Sequence, residues 1–193
     1  MDKTQLLMLF IYSGFTINIV LQCGLGIKGA VSSKSTLNSA VFIKLGIIFS
    51  SIIFIWLLFS KIIFSLFSGI FVYALLFPMS AIVYNGLEYL IFTYLYKKEE
   101  ETFISIPDGI TAVSVFICIN IANHIQEAVL LSFGFTFGIF IVNLIAGEIR
   151  KRAALEAVPV FLKGKPLVII AMGLLSLIFT AASLLFFRVI SEG

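Results

Sequence analysis

The chain has 193 residues, of which 61% are hydrophobic and only 12% charged, with a net charge of +3. A soluble domain carries about a quarter charged residues, and a globule of this length could not hide so much apolar surface. A mean hydropathy of +1.15 therefore excludes a water-soluble or disordered chain. A membrane helix takes about 20 apolar residues, so about six spans fit with short loops. No room is left within these residues for a soluble catalytic domain.

Six apolar segments follow in chain order. The first, 6–21, runs into Gly24, Gly26 and Gly29. It lacks a basic leader and a small-residue cleavage site, and reads as a retained span. The second covers 41–59. The third, 69–96, contains Pro78 and is long enough to tilt or kink. The charged tract KKEEE at 97–101 interrupts the pattern. The fourth segment, 109–123, follows Pro107, Asp108 and Gly109, and the fifth covers 128–146. A basic polar loop, EIRKRAALEAVPVFLKGKP, is expected next, before the sixth segment at 167–187. Apolar runs of this length without strict alternation are helices, because barrel strands alternate over about ten residues. The predicted fold is all-α: a single integral membrane domain of six transmembrane helices.

Loop charges set the orientation. The loops after the first, third and fifth segments hold Lys28, Lys34, Lys97, Lys98, Arg150, Lys151, Arg152, Lys163 and Lys165, against Lys3, Lys61 and Arg188 on the other side. This positive-inside bias places both termini outside the cytoplasm. The KKEEE tract divides the chain into halves, about 1–96 and 102–193, of three spans each. An odd number of spans makes the halves enter the membrane from opposite sides, as in an inverted repeat. The first span of each half is the shortest and the most interrupted by Gly or Pro. Such matched, broken segments point to a functional site near the midplane, although helix-end glycines in ordinary loops would look the same.

Few residues can carry chemistry. Charged side chains inside spans are costly and tend to be functional; here they are Lys44 and Glu88. Lys44 lies near a span end and either snorkels to the interface or lines an ion path. Glu88, one turn after Asn85, is either a pore carboxylate for Na⁺ or H⁺ or an interhelical hydrogen-bond partner. His124 and Glu127 are expected on a solvated outer rim. The single histidine excludes a His-rich metal site. Cys23 and Cys118 form no CxxC motif and read most simply as small buried hydrophobes. Gly134 and Gly138 make a GxxxG spacing that lets two helices approach closely, within the fold or against a partner. No nucleotide, zinc-protease or hydrolase motif is present.

The C-terminal third resembles the end of the RnfA/NqrE family, integral subunits of ion-translocating electron-transport complexes. The resemblance rests on Ile149-Arg150-Lys151-Arg152, Val158-Pro159, Lys163-Gly164 and Ile170-Ala171-Met172-Gly173-Leu174. Gln126-Glu127-Ala128, Phe133-Gly134 and Gly138 extend it upstream, and Asn18, Leu21 and Leu25-Gly26-Ile27 match near the N-terminus. It covers most of the chain and is strongest over 126–185. It implies two inverted three-helix repeats with a broken first helix in each. It also implies membership of an Rnf-type, or less closely an Nqr-type, complex in the bacterial inner membrane. Such a complex couples electron transfer to Na⁺ or H⁺ movement, alongside other membrane subunits and flavin and iron–sulfur subunits. The chain would be a non-autonomous subunit.

The family's broken spans each supply a cysteine to a [2Fe-2S] cluster shared with a sister subunit, thiolate being the expected ligand. Here Lys28 follows Leu25-Gly26-Ile27. The second position falls on Asp108 when counted from Gln126, or on Val113 when anchored on Pro107. The usual ligands are thus absent, and Cys23, five residues early, is the remaining thiol near the first break. With the Asp108 alignment, Lys28 and Asp108 would form a buried ion pair near the pseudo-twofold axis, since a lone charge there is far costlier than a pair. The implied role is structural and ion-conducting. Two alternatives are a paralogue without redox chemistry that only assembles or transports, and the six-helix substrate-binding component of a vitamin transporter; the C-terminal pattern argues against the latter.

Overall fold

A computed structural model describes residues 8–25, 39–63, 70–91, 93, 109–155, 159 and 164–192. Among them every regular element is helical. Helix α1, Met8–Cys23, is interrupted by a π-helical turn at Tyr12–Thr16 and restarts at Ile19–Cys23. Helix α2, Ser39–Leu58, continues into a second π turn, Phe59–Ile63. Helix α3 is Ile70–Ile91, α4 is Ile110–Ile121, α5 is Ile125–Leu155 and α6 is Lys165–Glu192.

Four of these are long and apolar enough to cross a membrane, over Val41–Ile63, Phe71–Ile91, Ile125–Ala153 and Pro166–Leu185. The other two, α1 and α4, are short apolar helices. At 1.5 Å per residue, the 12 residues of α4 reach about 18 Å, well under the roughly 30 Å of a hydrocarbon core. The six expected spans are therefore four long helices and two short ones among the described residues. The short ones are the segments that open each expected half.

One boundary differs from the sequence reading for an identifiable reason. The expected basic loop after the fifth segment begins as helix: α5 runs on through Glu148–Leu155. Glu148 pairs with Arg152 at 3.4 Å and with Lys151 at 3.9 Å, the i,i+4 and i,i+3 spacings that reinforce an exposed helix. Leucine and alanine, both strong helix formers, carry it to its end. In α3 the helix passes through Pro78, whose missing donor costs one ladder bond.

Helices α2 and α5 form the centre. Ile47, Ile52 and Ile55 of α2 and Leu131, Phe135 and Val142 of α5 are fully buried or nearly so. Helix α2 packs on α3, α4 and α5; α5 packs on α1, α4 and α6; α3 packs on α4; and α1 packs on α6 and α4. Helices α3 and α4 are antiparallel. Tyr73, near the start of α3, reaches Asn120 at the end of α4 with its hydroxyl 3.4 Å from Oδ1, and its ring meets Phe116 edge-on. The α4–α5 corner is tight. The Asn123 amide donates to Glu127 Oε2 at 2.8 Å, which satisfies one of the free donors at the start of α5. Glu127 is thus a buried corner cap and not part of a solvated rim. His124 beside it is exposed, as expected.

Candidate functional site

The break in α1 is built by Asn18. Ile17 and Asn18 leave the helix, and Asn18 adopts an extended backbone. Its Oδ1 accepts from the Val20 and Leu21 amides at 3.2 and 3.3 Å, the arrangement of an N-cap. Its Nδ2 donates to Gly14 O and to Gly138 O, both at 3.2 Å. All four hydrogen-bonding positions of the amide are used, so free backbone groups of α1 are satisfied by one buried side chain that also ties α1 to α5.

The docking surface on α5 is the GxxxG pair. A Cβ on Gly138 would stand 2.6 Å from Gly14 O, and one on Gly134 would overlap Ser13 Oγ. Phe10 packs against Phe133 and Phe137 beside this contact. The close approach that the spacing suggested is made inside the fold, with α1 as the partner.

The end of α1 lies within the depth of the bundle. Gln22 Nε2 donates to Thr180 Oγ1 at 2.9 Å, and Thr180 belongs to the apolar stretch Pro166–Leu185. Gly24 then terminates α1 in the left-handed conformation (φ 66°). Gly109, also left-handed (φ 72°), precedes α4. The end of α1 and the start of α4 meet, for a Cβ on Gly109 would lie 3.5 Å from the Leu25 side chain. Any side chain at either position would be strained.

The two cysteines are not brought together there. Cys23 is exposed at the end of α1, whereas Cys118 is buried with its sulfur 3.9 Å from Ser132 Oγ. Cys118 lies nine residues beyond Gly109, about 13 Å along α4. Among the described residues no group of three or more His, Cys, Asp or Glu side chains could hold a metal. The thiols present do not fit an iron–sulfur cluster. Lys28 and Asp108, with Gly26, Gly29, Pro107 and the 97–101 tract, lie outside the described residues.

Glu88 and Lys44 lie at one end of the α2–α3 pair. Glu88 is 2% exposed, and its Oε1 has no hydrogen-bond partner. It ends a buried stripe on α3 of Val72, Leu76, Ser80, Tyr84 and Glu88, spaced four apart so that each neighbours the next along a row inclined to the helix axis. Lys44, in the first turns of α2, is exposed. Thr111 Oγ1, in the first turn of α4, is the other buried side-chain polar atom left without a partner among the described residues. Of the two sequence readings of Glu88, the hydrogen-bonded one does not hold for Oε1.

Neither a protein-family model nor a curated protein matches the chain. Asn18 was visible in the sequence only as part of a family pattern. Its local signal is an N-capping residue directly before an apolar helical run, which inside a presumed span marks a break.

Proposed function

We propose that the chain is a membrane subunit of an electron-transport complex of the RnfA/NqrE type. It lies in the bacterial inner membrane as two inverted three-helix halves with both termini outside the cytoplasm. Its role is structural and ion-conducting, coupling the partners' electron transfer to movement of Na⁺ or H⁺ past Glu88. No cluster step is assigned to this chain, because its described thiols do not suit one.

The observation that carries the reading is the meeting of the two short helices. Helices α1 and α4 open the two halves, a left-handed glycine ends α1 and another starts α4, and these two helix ends come together at Leu25 and Gly109. Broken backbone at membrane depth is tolerated where it is packed in protein or lines a cavity, and in inverted-repeat transporters such segments form the site. The pattern of helix packing supports the same relation. Exchanging α1 with α4, α2 with α5 and α3 with α6 turns α1 on α5 into α4 on α2. It also turns α2 on α3 into α5 on α6, and α3 on α4 into α6 on α1. The α2–α5 and α1–α4 contacts map onto themselves, while the tight α4–α5 corner departs from the symmetry.

The test is affinity purification of the tagged chain from native membranes in mild detergent. Flavin- and iron–sulfur-bearing subunits are expected to co-purify. Recovery of the chain alone with a tightly held vitamin would overturn the reading in favour of a transporter component.

A further inference from the structure

Helix α4 begins inside the bundle without a cap. Its N-cap residue, Gly109, has no side chain to offer, and no other side chain takes that role. The amides of Ile110, Thr111 and Ala112 precede the first intrahelical bond, from Val113 N to Gly109 O at 3.0 Å, and have no acceptor within the helix. Among the described residues no carbonyl outside the helix accepts from them either. The restart of α1 and the α4–α5 corner are served by Asn18 and Glu127. Yet the start of α4 is buried, with Thr111 2% and Ala112 5% exposed. Thr111 Oγ1 is itself buried without a partner. Deeper in a helix such a hydroxyl returns to the carbonyl four residues back, as Ser114 does to Ile110 O at 2.7 Å. Helical side chains lean toward the N-terminus, so the Thr111 hydroxyl is carried toward the end where the free amides point.

Whatever satisfies these groups must accept hydrogen bonds. The helix dipole adds about half a positive charge, and burial strengthens each interaction. A water accepts as well, but its hydrogens need acceptors of their own, and on the first turn only the Thr111 side chain could supply one. Helix α4 carries no charged residue, and Glu127 lies at its other end. Counted from the Tyr73–Asn120 contact, Glu88 is fifteen residues along α3 and Thr111 nine back along antiparallel α4. Glu88 is therefore six residues past the level of Thr111, or about 9 Å. We propose that the start of α4 binds one small monovalent anion, held by its first-turn amides and the Thr111 hydroxyl. The site stands whether or not Glu88 conducts a cation.

The test follows thermal unfolding of the full chain in detergent, in sodium chloride, sodium formate and sodium gluconate at equal ionic strength. A ligand of the folded state raises Tm with its concentration. Chloride or formate is expected to give a saturable rise over gluconate, and the stronger of the two identifies the source as a halide or a carboxylate. Thr111→Val removes an unsatisfied hydroxyl at nearly constant volume, so in gluconate it should melt at or above the wild type. Its apparent anion affinity should fall at least about tenfold, the scale of one hydrogen bond to a charged group. Ser114→Ala, whose hydroxyl is already used within the helix, should keep the wild-type anion response. On the wild type alone, equilibrium dialysis should show near-stoichiometric retention of radiolabelled chloride that formate displaces. An anion response unchanged in Thr111→Val would overturn the site. So would a wild type with neither a saturable response nor retained chloride, as where water or a carboxylate of the chain itself fills the position.

Discussion

Gly138→Ala places a methyl group where α1 crosses α5. The new Cβ would stand 2.6 Å from Gly14 O and 3.0 Å from Asn18 Nδ2. The first is backbone, and the second belongs to a side chain held by four hydrogen bonds. Neither can swing aside, so α1 must withdraw. Overpacking of this kind costs about 1–3 kcal/mol, and weakening the Asn18–Gly138 bond adds about 1 kcal/mol. Alanine's better helix propensity returns about 1 kcal/mol, leaving a net loss of about 1–3 kcal/mol. In a chain of this size each kcal/mol moves Tm by about 2–4 °C, so a fall of about 2–12 °C is expected. Gly173→Ala is the matched control, since nothing lies within 4 Å of its Cβ position. It should hold or slightly raise Tm. Thermal unfolding of the detergent-solubilised protein, read by a thiol dye that reaches buried Cys118 only on unfolding, measures both. A Gly138→Ala protein melting at or above the wild type would refute the close docking of α1 on α5.

Three further expectations use the same preparation. Asn18→Ala strands the Val20 and Leu21 amides and the Gly138 carbonyl. Its Tm should fall by an amount equivalent to about 2–4 kcal/mol, with Asn18→Asp, which keeps only the accepting half, in between. Under folded conditions maleimide should label exposed Cys23 readily and buried Cys118 only after denaturation, which mass spectrometry of the tryptic peptides separates. Glu127→Ala should cost about 1 kcal/mol by removing the corner cap, whereas Glu127→Gln, which retains an acceptor, should melt close to the wild type.

The long helices were legible because apolar composition and span length leave few alternatives in lipid. Segments 41–59, 128–146 and 167–187 lie on α2 with its π turn, α5 and α6, and segment 69–96 contains α3. The shortness of α1 and α4 was legible too, from the glycines and Pro107 that flank them. The placement of the α1 break was not. Hydropathy averages over Asn18, whereas the break depends on one amide finding partners 120 residues away on α5. The end of α5 was misread because charge was taken for loop, when Glu148 and Arg152 sit at the spacing that stabilises helix. Glu127 was misread for a related reason, since a carboxylate near a helix start can serve a local amide as well as water. Glu88 stood out in the sequence as a charge inside an apolar segment, and the structure buries it on α3. That its Oε1 lacks a partner follows only from how α3 packs against α2 and α4.

The relation between the two halves is tested most directly by the sidedness of α2 and α5, the central pair. Single cysteines replacing Ser60, exposed at the end of α2, and Arg152, exposed near the end of α5, are introduced into a chain with Cys23 and Cys118 changed to serine. They are then probed with a membrane-impermeant maleimide in right-side-out and inverted vesicles. Inverted halves require label at position 60 from the outside and at position 152 from the cytoplasmic side. Labelling of both positions from the same side would contradict the inverted arrangement and the function proposed from it.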